Sequence, residues 1–390
     1  MRHLSIRSFG PLESVDIEIG RLNVIVGPQS SGKSSVLKVS AFFAWLEKRI
    51  ELTQNLEEAS GEGFEEHLVK FYHLIGYVSS TTEMEYETDG LLIKYKNRKM
   101  TAEWKPGRWE YKRSKIAYIP AERDIVSVIG NWQKVQAADN ILEFMTEWDI
   151  ARQSRVKALK ILNLGVQYSY DKNSNSDKVF LDSGVDLDLS STSSGLQSLI
   201  PLFVCLNYLH RGQYRERYKM GNYQSKSENS SLLDTMVLNL AVEELPKASL
   251  RSIPDVQSLL RKDITLGEFV DGAEKAIKKS RFYSNFTDIK NSQVYLEEPE
   301  DNLFPPEQVV LTEWLIAMGN DRFRKNVMFL ATHSPYVVNC FLEREKKDFN
   351  LFITVPAGNG KSTVKTVSEE ELQRMYDSGV DVFFNYEAFV

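Results

Sequence analysis

Three runs in the first 26 residues, MRHLSIRSF, SVDIEI and LNVIV, either alternate apolar with polar positions or are apolar throughout. The turn pairs Gly10-Pro11 and Gly20-Arg21 separate them, so the pattern predicts two or three strands. The period then changes. Val36, Leu37, Val39, Phe42, Phe43, Trp45 and Leu46 recur at helical spacing, which predicts an amphipathic helix with a broad apolar face from Ser34 to about Leu52. Residues 84–119 are strand-rich and aromatic and close on the buried-type run IAYI at 116–119. Residues 133–163 read as helical, and the runs VQYSY and KVFLD across DKNSNSD predict a hairpin.

The stretch LSSTSSGLQSLIPLFVCLNYLH (189–210) passes from a Ser-rich turn into a very apolar helix. Residues 211–228 are polar and basic, as in a loop or exposed insertion, and 229–285 carry charged helical patterns. The end of the chain alternates: VYLEEPE, a helix near 305–319, VMFLATHSP, a helix near 336–346, then LFITV and STVKTV as strands. Strands alternating with helices predict an α/β fold. The expected division has three sections. Residues 1–210 form the N-terminal one, with a β-rich lobe at about 51–125 and the apolar helix at 193–210. Residues 211–290 form a helical insertion, and residues 291–390 form the C-terminal section. The chain has no internal repeat, and the insertion lacks the sustained heptads of a coiled-coil arm.

Chemistry enters at the first strand-to-helix junction, VIVGPQSSGKSSVLKV. Gly27-Pro28-Gln29-Ser30-Ser31-Gly32-Lys33-Ser34 fits G-x-x-x-x-G-K-[ST] in full, with a strand directly before it and a helix directly after. The glycines let backbone N–H groups point inward at the phosphates of ATP, and the helix start adds partial positive charge. Lys33 would reach the β and γ phosphates, Ser34 would ligate Mg2+, and Ser35 completes the segment. A second fragment, Gly358-Asn359-Gly360-Lys361-Ser362-Thr363, has Val355 where the first glycine belongs. It joins two strand-like runs through Asn-Gly, the favoured hairpin turn, and is read as a hairpin.

VYLEEPEDNLFP leads an apolar strand into Glu297-Glu298. Glu297 would hold Mg2+ and Glu298 would orient and deprotonate the attacking water. The competing reading is a solvated acidic strand end. His333, at the end of VMFLAT, would sense the γ-phosphate, against a purely structural histidine. The order matters more than any single motif: phosphate loop, Ser-rich helix start, acidic strand end and Thr-His-Ser strand end follow one another over about 300 residues.

Gly27 to Ser35, Ser193-Ser194-Gly195-Leu196-Gln197, Glu297-Glu298-Pro299 and His333 together resemble the ABC-type ATPases, in the soluble branch that holds SMC, Rad-type and RecF-type proteins. In that family the middle element is the signature L-S-G-G-Q, which binds the γ-phosphate of nucleotide held by the opposite subunit. Ser194, Gly195 and Gln197 match it, and Ser193 and Leu196 do not. Serine N-capping of the apolar helix is the plainer explanation of the same residues. Glu297 replaces the family's usual aspartate, and Phe304 stands where an aspartate is expected after Leu303. With LEEPEDNLFP, ATHSP and YIPAER these departures look like a narrower group, the ATPases of bacterial phage-defence systems, akin to those of PARIS and Septu and the ATPase half of the overcoming-lysogenisation-defect nucleases. Those nucleases carry a C-terminal Toprim domain, for which the 57 residues after His333 leave no room, so the expected effector is a separate nuclease or toxin. The resemblance also implies a homodimer or higher homo-oligomer. Pro120-Ala121-Glu122-Arg123 falls where the family places the loop coupling nucleotide to the lobes, with Glu122 or Arg123 in place of glutamine, or else forms a structural salt bridge.

Composition adjusts this picture only locally. The chain is 42% hydrophobic and 26% charged, which suits a globular domain with a sizeable core, and no apolar stretch reaches the length of a membrane helix. Cys205 and Cys340 sit in apolar surroundings, and no secretory signal is evident, so the expected location is cytoplasmic. Net charge is −6, from 48 basic and 54 acidic residues, which gives no general support for nucleic-acid binding. Residues 93–115 do carry nine Lys or Arg against two Glu, with Tyr95, Trp104, Trp109 and Tyr111 interleaved. The strip is either a nucleic-acid surface of a RecF-like repair ATPase or, as favoured, the solvent face of an antiparallel sheet.

Overall fold

The computed structural model describes residues 2–59, 65–129, 139–155, 157–216, 272, 281–344 and 349–378. Most of the expected insertion, 217–271 and 273–280, lies outside the described residues, and so does its helical reading apart from the helix Arg281–Thr287.

Fifteen strands form among these residues. They are β1 (Arg2–Phe9), β2 (Leu12–Ile19), β3 (Leu22–Val26), β4 (Val78–Glu87), β5 (Leu91–Lys96), β6 (Lys99–Trp104), β7 (Ser114–Ile119), β8 (Leu159–Lys160), β9 (Val166–Asp171), β10 (Ser176–Leu181), β11 (Asp186–Asp188), β12 (Asn291–Glu297), β13 (Val327–Ala331), β14 (Phe349–Pro356) and β15 (Ser362–Thr366). The longer helices are α1 (Lys33–Thr53), α2 (Asn140–Gln153), α3 (Ser194–Asn207), α4 (Pro305–Gly319), α5 (Pro335–Arg344) and α6 (Glu369–Ser378).

Eleven strands make one sheet in the order β6-β5-β4-β1-β2-β15-β14-β3-β13-β12-β7. Its two halves differ in kind. From β14 to β7 all neighbours are parallel. From β6 to β2 all are antiparallel, with tight turns joining β1 to β2, β4 to β5 and β5 to β6. The fold is mixed α/β, as the alternation predicted. The parallel strands are apolar on both sides because both faces are covered. Leu22, Val24, Val26, Leu296, Leu330 and Ile353 point into one core, which α2–α5 close. Ile25, Tyr295, Phe329 and Phe352 point into the other, against Val36, Leu37, Phe42 and Phe43 of α1. A small sheet, β11-β10-β9-β8, adds Tyr168 and Val179 to the first core beside Trp148.

Several boundaries differ from expectation. The helical reading of 133–163 holds for α2, whose start is capped by Asp139 accepting from the Leu142 N–H. The chain then leaves the helix at Ser154 and forms β8, turning back through left-handed Leu162 and Gly165 into β9. The β-rich lobe starts at Val78, after short helical turns at Leu56–Ala59 and Glu65–Lys70. The apolar helix ends at Asn207 and continues as a π turn, Tyr208–Gly212. The helix α6 had no counterpart in the sequence reading. The fragment 358–361 is a hairpin turn between antiparallel β14 and β15, with Gly358, Asn359 and Gly360 all left-handed. Its Lys361 ammonium reaches Glu13 at 3.3 Å, so the phosphate-loop echo is a turn.

Candidate functional site

In the parallel half, β3, β13, β12 and β7 all end at the same edge, so whatever follows each strand is brought together there. After β3 comes the phosphate loop. Gly27 has φ 147° and Gly32 φ 95°, and both approach their neighbours closely. A Cβ on Gly27 would lie 1.8 Å from Thr354 Oγ1, and one on Gly32 would lie 2.5 Å from Leu12 Cδ2. The loop is tied down from inside. Ser31 Oγ donates to Pro28 O at 2.7 Å, and the fully buried Thr354 of β14 bonds Ser31 Oγ at 2.6 Å.

Lys33 is folded back over this loop, its ammonium donating to Gly27 O at 2.8 Å and Pro28 O at 2.7 Å. Burial pulls its pKa down to about 8, against the opposing pull of Glu298, Glu300 and Glu297. Pro28, Gln29, Ser30 and Ser34 are exposed at the loop surface, while Ser31 and Ser35 are buried.

After β12 come the carboxylates. Glu297 is buried and accepts from Tyr118 Oη of neighbouring β7 at 2.5 Å. Glu298 is left-handed (φ 42°), held by its N–H donating to Ala331 O at 2.8 Å. Partial burial raises the Glu298 pKa, with Glu297 and Asp301 adding to the shift and Lys33 and Arg123 opposing it. After β13 comes His333, whose Nε2 is 3.6 Å from Glu298 Oε1. Burial, and then Lys33, lower its pKa, so the imidazole is neutral at pH 7. The half-buried Glu300 grips the same loop by accepting from the His333 N–H at 2.6 Å.

A cavity of about 720 Å³ joins these pieces, lined by the loop residues Gln29, Ser30 and Gly32–Ser35, by Glu298 and by Ala331 and His333. Gly10, Pro11 and the Ile75-Gly76-Tyr77 loop close its other side. That wall, with Ile75 77% exposed, has no counterpart among the residues singled out from the sequence. Its only sequence signal is the Gly76 turn just before the β-rich lobe.

Ser194, Gly195 and Gln197 do not line this cavity. Ser193 caps α3 by accepting from the Leu196 N–H at 3.4 Å, so the capping reading holds for Ser193, and Ser193 and Ser194 are exposed. Gln197 ties down the Ser-rich turn through Ser190 O and Thr192 O, both at 2.9 Å. Gly195 faces the turn after the carboxylates, where a Cβ would meet Asn302 O at 2.8 Å. The salt-bridge alternative for Pro120–Arg123 is not seen. Glu122 is exposed, and the fully buried Arg123 donates to main-chain carbonyls instead of pairing with a carboxylate.

The basic strip 93–115 is largely consumed within the fold. Lys94, Lys96, Lys105 and Lys115 pair with Glu85, Glu83, Glu87 and Glu147. Arg108 is buried between the rings of Trp104 and Trp109, and Tyr95 and Tyr111 are buried. The solvent-face reading accounts for the paired lysines, whereas Arg108, Tyr95, Trp109 and Tyr111 belong to the interior.

The donor set at the cavity fits a hard cation bound to a nucleotide. Ser34 and Glu298 offer oxygen ligands at the cavity, while Glu297, the expected Mg2+ ligand, is buried behind it and is not among the lining residues. No cluster of three or more His, Cys, Asp or Glu among the described residues could hold a metal by itself. Few protein ligands completed by phosphate oxygens is what Mg2+ requires. No helix among the described residues is long and apolar enough to cross a membrane.

No family model and no curated protein matches the chain. Solved structures similar in fold include the SMC head domain from Thermotoga maritima, at 12% identity and TM-score 0.41, covering 94% of this chain and all of that one. The SmcHead bound to the C-winged helix domain of ScpA is 8% identical at TM-score 0.35, covering 95% and 98%. The ATP-binding cassette MJ1267 of an ABC transporter is 12% identical at TM-score 0.30, covering 98% and 97%. At this distance the likeness carries nothing about activity.

Proposed function

We propose that the chain is an ATP-binding and hydrolysing head of ABC type, and that two copies sandwich ATP between them. The observation that carries this is the convergence of Lys33, Ser34, Glu298 and His333 on one cavity, from three strand ends spread over 300 residues. Lys33, moved off its carbonyls, would meet the β and γ phosphates, and Ser34 with Glu297 would hold Mg2+. The ion supplies charge neutralisation at the phosphates. Glu298, with its raised pKa, takes the proton of the attacking water, and neutral His333 orients that water or the γ-phosphate through a hydrogen bond. Ser194, Gly195 and Gln197 lie outside the cavity, with Ser193 and Ser194 exposed at a helix start, which suits a site completed by a second copy.

The working unit is thus a homodimer or higher homo-oligomer. Its nucleotide state would control a separately encoded effector, a nuclease or toxin, in cytoplasmic phage defence. This last step rests on the sequence resemblance alone. Duplex binding through 93–115 is disfavoured because four of its six lysines already have acidic partners.

The test is light scattering with and without Mg-ATP. Lys33→Ala should lose nucleotide binding and self-association together, whereas Glu298→Gln should accumulate the ATP-bound dimer. A Glu298→Gln protein that binds ATP but keeps the monomer mass overturns the sandwich.

A further inference from the structure

The strands β7 and β12 are parallel neighbours, so the segment leaving β7 runs beneath the turn leaving β12. Arg123 is the fourth residue after β7 and is fully buried. Its Nη1 donates to Glu297 O at 3.0 Å and Pro120 O at 3.4 Å, and its Nη2 to Glu298 O at 2.8 Å and Pro299 O at 3.5 Å. One planar fork thus collects the consecutive carbonyls of Glu297, Glu298 and Pro299. Those carbonyls belong to a turn that needs outside support, since Glu298 is a left-handed non-glycine residue. The same segment continues into a short helix, Ile125–Val128, where Ser127 Oγ donates to Gln197 O of α3 at 2.9 Å.

We infer that Arg123 is the positioning residue of Glu298: its guanidinium fixes the backbone turn that aims the carboxylate into the cavity. The inference rests on the hydrolytic reading of Glu298. Arg123 is not itself a lining residue of the cavity, and its contacts to Glu297, Glu298 and Pro299 are to main-chain carbonyls, so it acts through the main chain it grips. An ammonium cannot replace it. A single nitrogen on a flexible stem cannot span three carbonyls set in one plane by a rigid fork. The expected consequence is a split between binding and turnover. The phosphate loop is built on β3 and α1 and stays intact, while the carboxylate drifts, and drift on the scale of 1 Å costs up to about a hundredfold in rate.

The experiment compares wild type, Arg123→Lys and Arg123→Gln by fluorescent-nucleotide titration, steady-state hydrolysis and denaturant midpoint. Both variants should bind Mg-ATP within about threefold of wild type while kcat falls roughly ten- to a hundredfold. KM should stay nearly constant. Turnover per folded molecule equal to wild type, with only the midpoint lowered, makes Arg123 a purely architectural residue and overturns the inference. Variants that both fail to fold overturn it in the same way. A wild type that binds but never hydrolyses ATP overturns the proposed function as well, so the two failures are told apart.

Discussion

The contact between Thr354 and Ser31 joins residues 323 positions apart and makes a sharp test of how the phosphate loop is held. Ser31 Oγ already donates to Pro28 O, so the proton in the 2.6 Å contact comes from Thr354. Thr354→Val keeps the shape and removes that one donor. The loss is one neutral hydrogen bond in a buried place, about 1 kcal/mol, and Ser31 keeps its own donation satisfied. If the bond serves to preorganise the loop, this energy appears in ligand affinity as about a fivefold rise in Kd. Thr354→Ser is the counter-variant. It keeps the hydroxyl and deletes one buried methyl, so affinity should hold while unfolding free energy drops by about 1 kcal/mol, read as a lower denaturant midpoint at unchanged slope. Titration of the two variants and of Ser31→Ala, with the Thr354→Val/Ser31→Ala double variant closing the cycle, should give a coupling energy of about 1 kcal/mol. Thr354→Val protein that binds Mg-ATP as tightly as wild type refutes the reasoning, as does a cycle with no coupling.

Removing the phenol that donates to Glu297, by Tyr118→Phe, should raise the Mg2+ concentration for half-maximal hydrolysis about tenfold with nucleotide affinity in excess Mg2+ unchanged; an unaltered Mg2+ curve would sink it. At the other end of the chain, Glu371 accepts from the Ser368 N–H and from Lys365, which together hold its pKa at about 2. A pKa lowered on folding stabilises the folded state above the unfolded value, about 4.3, and that support is lost as pH falls toward about 2. Hydrogen exchange of the α6 peptide, corrected for intrinsic rates, should therefore show protection falling across that window in wild type but not in Glu371→Gln.

What could be read from the sequence was local. The phosphate loop spans eight consecutive residues between a strand and a helix, so motif and context arrive together. Strands β1–β3 and β12–β15 announced themselves through period-two or continuously apolar runs with turn residues between them. The partners that hold the site were hidden because they are brought in by sheet order. Thr354 is one hydroxyl in the apolar run LFITV, and nothing nearby says that β14 lies beside β3. The sequence offers Arg123 as a coupling-loop or salt-bridge residue, and only the parallel pairing of β7 with β12 puts it under Glu298. The Ser-rich turn is ambiguous in a different way. Thr192, Ser193 and Gln197 are engaged within their own turn, a use that motif matching cannot separate from a role toward a ligand.

The back-folded Lys33 has a consequence for selectivity. Its ammonium rests on the carbonyls of the very loop that it would leave to meet a phosphate, so the loop carries an internal competitor at fixed local concentration. An incoming ligand must displace that competitor before it gains anything from the lysine. A triphosphate carries more negative charge with which to draw the ammonium away than a monophosphate does. On the proposed nucleotide-binding reading, the resting loop sets a threshold given by the difference between two sets of contacts to one cation.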